Sequence, residues 1–168
     1  MLNISFFEQK IGSQTKVEFY DSLNRIPFSI SIGSFSSFPN AIYARNLSIN
    51  SFVDFRFNKD SGELFEISMI SINTGSIINA EPFLEVDPNH TFICKLNEID
   101  SVLEDKIPTT IYTKNDLFCL MIGDLDEAKL NFFQIGTDIY LGIDENNFLK
   151  SLVLKSLSNE NLNSIFGF

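Results

Sequence analysis

His90 is the only histidine in the 168-residue chain, so it is the one side chain with an ordinary value near neutrality that could serve as a general base. Nucleophilic catalysis of the Ser/His/Asp or Cys/His kind needs such a base held against the nucleophile. His90 follows Pro88 and Asn89 in a stretch that reads as a turn, where a histidine is ordinarily solvated. No G-x-S-x-G elbow accompanies it. With Cys94 and Cys119 it makes three scattered soft ligands and no C-x-x-C pair, too few for a metal-site pattern. Both cysteines lie in apolar runs and read as small buried apolar residues. The 8 glycines form no G-x-G-x-x-G or G-K-[ST] turn, so no phosphate cradle and no nucleotide cofactor is expected. A carboxylate pair, as in glycoside hydrolysis, is the one catalytic route left. Acids are plentiful, but their spacing does not say which two share a cleft, and the chain has no Trp to line a sugar site. The expectation is a protein without a catalytic set, cofactor or metal.

The acids read better as contact surface. Glu98, Asp100, Glu104 and Asp105 form one group, Asp124, Asp126 and Glu127 a second, and Asp144 with Glu145 a third. Asp124 and Asp126 lack the glycine and distal glutamate of a calcium loop. Residues 85–168 hold 14 acids and 6 bases, against 8 and 6 in residues 1–84, so most of the net charge of −10 falls in the second half. Phosphate binding draws on clustered Lys and Arg, and three arginines in all disfavour direct nucleic-acid contact. An acidic field instead speeds encounter with a basic protein, by ~10–10³-fold at low salt. If the fold gathers the three groups they make one patch for an Arg/Lys-rich partner; otherwise they are separate solvated turns.

The elements that would position them are mostly strands. There are 18 Phe and 21 Ile against 4 Ala, a bias toward the pleated, half-buried surface of a sheet. Period-two alternation around polar turns predicts hairpins. Val17 and Phe19 meet Ile26, Phe28, Ile30 and Ile32 across 21–24, and Val53, Phe55 and Phe57 meet Phe65, Ile67 and Met69 across 58–62. Leu84 and Val86 meet Phe92 and Cys94 across 87–90, and Ile111 meets Leu117–Ile122 across 113–116. Ile139, Leu141 and Ile143 meet the run from Leu149 to Leu157 across 144–147. Pro27 makes its arm an edge strand or stands near that arm's start. Residues 33–50 are Ser/Asn-rich and predict a long loop. Asn97 with Asp100 approximates a capping box, and Ile99, Leu103 and Ile107 then recur on one helical face until Pro108. The first acidic group would ride on that helix. Ser158 opens a second short helix that runs to Phe166 before Gly167.

A chain of this length is about one domain, here 1–168, with two hairpin-rich halves joined near 74–82. The predicted class is mostly β (α+β): antiparallel hairpins forming a curled sheet, sandwich or partial barrel with one or two short helices. No stretch approaches the ~18 uncharged apolar residues of a membrane span. The first twelve residues lack the pattern of a secretory signal, and two cysteines make no disulfide scaffold, so a cytoplasmic setting is expected.

In character the chain resembles the immunity proteins of bacterial polymorphic and contact-dependent inhibition toxin systems. The matching features are the single domain, the charge of −10, the Asp/Asn turns at 58–62 and 144–147, the missing catalytic set and the Ile/Asn/Phe-rich, Ala-poor composition. The resemblance implies a cytosolic, non-enzymatic protein that neutralises a cognate toxin, frequently a basic nuclease, its acids standing in for substrate phosphates. Two other classes fit the sequence. One is a structural or adaptor β-domain of a phage or secretion system, acting through strand edges or self-contacts. The other is a small carboxylate-dependent enzyme.

Overall fold

Period-two patterning becomes strand pairing in four of the expected hairpins of the computed structural model, which describes residues 1–9, 14–20, 27–33, 40–73, 77–80, 90–97, 103–123 and 130–166. Among the described residues there are fourteen strands and one helix. The strands are β1 (Ile4–Gln9), β2 (Thr15–Phe19), β3 (Phe28–Ile32), β4 (Ala41–Leu47), β5 (Ser51–Asn58), β6 (Leu64–Ile72) and β7 (Ile77–Ile78), then β8 (Thr91–Leu96), β9 (Leu103–Asp105), β10 (Thr109–Lys114), β11 (Leu117–Ile122), β12 (Asn131–Gly136), β13 (Ile139–Ile143) and β14 (Leu149–Leu154). The helix is α1 (Asn159–Phe166). The chain is mostly β, as its composition implies.

Two six-stranded sheets form, and neither closes into a barrel. The first runs β2-β3-β6-β5-β4-β9 and the second β12-β13-β14-β11-β10-β7. All neighbours are antiparallel except the short edge strands, β9 on β4 and β7 on β10, which are parallel. The expected hairpins β2–β3, β5–β6, β10–β11 and β13–β14 are present. The turns of β5–β6 and β13–β14 follow the side-chain chemistry. Asn58 Oδ1 accepts from the amides of Asp60 and Ser61, and Gly62 takes φ +72°. Asp144 Oδ1 accepts from Asn146 and Phe148, with Asn147 at φ +62°.

Inward-facing residues of both sheets share one core. Phe28, Ile30, Val53, Phe55, Phe57, Ile67 and Met69 come from the first, Phe118, Leu120, Ile139, Leu141, Leu152 and Leu154 from the second. Phe28 and Phe118 meet edge-to-face across the layers, 5.3 Å between ring centroids. Leu117–Ile122 is buried at every position, because the second sheet carries a further apolar cluster (Leu117, Cys119, Met121, Tyr140, Val153) on its other face. A two-stranded ribbon, β1–β8, links the sheets at one side. Leu149 N donates to Leu2 O (2.8 Å) at the second sheet, and Leu96 N to Gly62 O (2.9 Å) at the first.

Two expectations change. The run from Ile99 to Ile107 is not a helix in its described part: Leu103–Asp105 is strand β9, and residues 98–102 lie outside the described residues. The edge of β4 supplies main-chain partners that a three-turn helix would leave unused, and that tertiary pairing overrides the i, i+4 pattern. The long loop at 33–50 contains β4, whose inward positions Ile42, Ala44 and Asn46 include a small and a polar residue and so give a faint signal. β8 pairs with β1, and the expected partner segment 84–86 lies outside the described residues. Of the two placements open to Pro27 the second holds: β3 begins at Phe28, between β2 and β6, so the proline stands just before the start of its arm. Ser158 does open α1, its Oγ accepting from Asn161 N (3.1 Å), and Ile165 and Phe166 are buried.

Candidate partner-binding surface

Parallel pairing sets the parity of β9. Leu103 is opposite Ala44 and Asp105 opposite Asn46, so both turn toward the interior side of the first sheet. Glu104 is opposite Arg45 and turns to the outer face. The strand thus splits two acids that a helix could have presented together. Beyond Asp105, Ile107 is gripped by Asn46: Nδ2 donates to Ile107 O (3.0 Å) and Oδ1 accepts from Ile107 N (2.9 Å).

These contacts leave a small open notch between the ends of the two sheets. Ala44, Phe55, Leu103, Ile107, Ile122 and Leu149 wall it, with Asp105 and Met1 at its side and an internal volume of ≈ 20 Å³. The amino group of Met1 lies 2.8 Å from Asp105 Oδ2, and the Asp105 side chain is one-third exposed. Arg45 also borders the notch but directs its guanidinium at Asp54.

The three sequence-predicted acidic groups reach this notch unequally. Glu98 and Asp100 lie outside the described residues, as do Asp124, Asp126 and Glu127. The last described residues before the second group are Ile122, which walls the notch, and Gly123, where an added Cβ would sit 3.6 Å from Ile107 Cγ2 and 3.6 Å from Lys150 Nζ. Asp144 is largely spent on its own turn and lies 3.9 Å from Lys150 Nζ. Glu145 is exposed, with no ion-pair partner among the described residues. That turn leads into Leu149 on the notch wall. Strand β9, the end of β11 and the start of β14 therefore converge, while Glu104 faces elsewhere.

Glu104 instead ends a polar row across the outer face of the first sheet. In register the row reads Glu18, Ser29, Ser68, Asp54, Arg45, Glu104. Asp54 is its centre and only 2% exposed. Arg45 Nε (3.5 Å) and Arg56 Nε (3.4 Å) approach its two carboxylate oxygens, and Arg56 Nη1 reaches Glu66 Oε2 at 2.9 Å. Both guanidinium groups also lie over the Tyr43 ring, at 5.1 and 5.5 Å. Burial pushes the Asp54 carboxyl above its ordinary value, against the pull of Arg56 and Arg45. Asp54 and Arg56 were findable from the alternation in β5; Arg45 was not, since β4 reads as loop.

His90 is exposed before β8, its Nε2 3.5 Å from Glu8 Oε1. Cys94 and Cys119 are buried free thiols; burial pushes both up, Cys119 to about 11. Among the described residues no group of three or more His, Cys, Asp or Glu is placed to hold a metal ion. No helix among them is long and apolar enough to cross a membrane. No family model matches the chain, and no curated protein matches its sequence.

Proposed function

We propose that this chain is a toxin-neutralising immunity protein, acting without catalysis in the cytoplasm, that binds a cognate basic toxin domain and occludes its active site. The supporting observation is the convergence just described: three segments that carry or adjoin acidic groups meet at one notch with Asp105 in its side. Carboxylates there would hold the basic residues that a nuclease uses for phosphate. The charge of −10 steers the encounter. The test is affinity capture from cells expressing the adjacent open reading frame, at low and high salt. One basic toxin domain, recovered and weakened by salt, supports the reading. Recovery of self-copies or virion components alone overturns it.

A second reading, a structural or adaptor domain, draws on exposed apolar side chains. Ile49 is 92% exposed at the β4–β5 turn, Phe7 is 52% exposed on β1, and Ile78 is exposed on edge strand β7. Assembly through such edges would be insensitive to salt.

A further inference from the structure

We infer that the β1–β8 ribbon is a flap, hinged at its root and latched by Phe133, that lifts from edge strand β12 while both sheets stay folded. Its existence does not depend on the partner-binding reading. Main-chain bonds to the sheets come at the root. Ile4 N donates to Asn147 O (3.0 Å), Leu149 N to Leu2 O (2.8 Å) and Leu96 N to Gly62 O (2.9 Å). The bridges Asn3–Phe148 and Glu63–Lys95 sit beside them. Among the described residues, no main-chain bond ties residues 5–8 or 91–94 to either sheet. Burial falls away in the same direction. On the inward side of β1, Ile4 is buried, Phe6 half-buried and Glu8 exposed. On that side of β8, Leu96 and Cys94 are buried and Phe92 is half-buried. A two-stranded ribbon is marginal alone, so its far half is only as stable as its contact with the rest of the molecule.

That contact centres on one ring. Phe133 stacks on Phe6 with centroids 4.2 Å apart and planes 8° from parallel, and it meets Phe92 edge-on at 5.1 Å. Phe133 belongs to β12, which pairs with β13 on one side and, among the described residues, with no strand on the other. Charged contacts do not strengthen the latch. Glu8 and His90 approach each other within the ribbon, and Lys95 pairs with Glu63 at the root. Lifting the flap breaks two ring contacts and keeps β1 on β8. It bares Phe133 and the unpaired side of β12, a six-residue strand edge of the kind that accepts an extended segment.

The two cysteines supply the test, because Cys94 lies on the inner side of the flap and Cys119 in β11 of the second sheet. The full chain is labelled with a small aromatic disulfide in urea well below the unfolding transition, and peptide mass spectrometry assigns each thiol. Both are expected to stay slow beside the unfolded chain. Cys94 should nevertheless react about tenfold or more faster than Cys119, at a rate nearly independent of urea, since lifting a ribbon exposes little surface. The rate at Cys119 should climb with urea as the sheets unfold. Phe133→Leu should speed Cys94 about tenfold, the scale of two aromatic pairs. Phe28→Leu, which weakens packing on Phe118 between the sheets, should speed Cys119 and leave Cys94 within about twofold. Equal rates for the two thiols with one urea dependence overturn the flap. So does a Cys94 rate that rises with Phe28→Leu as much as that of Cys119. A urea-independent Cys94 rate that ignores Phe133→Leu overturns the latch.

Discussion

Asn46 grips the main chain of Ile107 with both ends of its side-chain amide, donating to the carbonyl and accepting from the amide. It therefore acts as one more rung of a sheet where β9 has ended and β10 has not begun. Ser51 and Thr109 continue the seam through a buried hydroxyl contact of 2.8 Å, and Asn50 Nδ2 donates to Thr109 O. The notch owes its position to this seam, because the seam carries the chain from the first sheet to the second.

Replacing Asn46 with leucine should cost about 2–4 kcal/mol, since two main-chain groups of Ile107 lose their partners in a part-buried setting. Urea unfolding measures the cost. A loss below ~0.5 kcal/mol would mean that water replaces both bonds.

The Asp54 cluster should respond asymmetrically. Arg56→Met leaves the buried carboxylate with the poorly aligned Arg45 alone and is expected to cost about 2–3 kcal/mol, whereas Asp54→Asn should stay within ~1 kcal/mol at pH 7. The folded-state value of Asp54 lies above 3.8, so its stabilising contribution is complete below 3.8 and is lost as pH rises through the folded value. The stability difference between wild type and Asp54→Asn should therefore move in the variant's favour across that interval. Unfolding curves taken in steps from pH 3 upward give the sign, and movement the other way would show that the arginines outweigh burial.

Gly136 is a contact point between β12 and β2. A Cβ there would lie 2.8 Å from Thr15 Cβ and 2.6 Å from Thr15 Oγ1, so Gly136→Ala should cost about 1–3 kcal/mol by overpacking. Thr15→Gly should recover part of it in a double-mutant cycle. Additive losses would place the strain elsewhere.

Thiol labelling at pH 8 should be slow for both cysteines in the native protein, because each is buried and burial disfavours the thiolate. Denaturant should restore ordinary reactivity. Fast labelling of either one without denaturant would reveal local opening of β8 or β11.

Charge reversal at Asp124, Asp126 and Glu127 should slow association with the captured partner about tenfold or more at low salt, with a smaller effect on dissociation. Stopped-flow mixing reads it. Unchanged association kinetics would remove that cluster from the interface.

Local chemistry alone determined a good part of this protein. Alternating Ile and Phe, broken by Asn, Asp and Gly, specified the strands of four hairpins and the turns at 58–62 and 144–147, because side-chain parity and turn geometry act over a few residues. The acidic character of residues 85–168 was equally plain. Of the candidate site, Asp105 was legible as a charge but not as a position: the i, i+4 pattern from Ile99 to Ile107 placed it on a helix beside Glu104, and only the free edge of β4 made it a strand that sends the two apart. Partners distant in sequence decided the rest. The pairing of β1 with β8 and the grip of Asn46 on Ile107 join residues whose affinity for one another appears only after the sheets have packed. Main-chain hydrogen bonding accepts any sequence at a strand edge, so which edge is taken is settled by burial and chain geometry, not by the residues that take it.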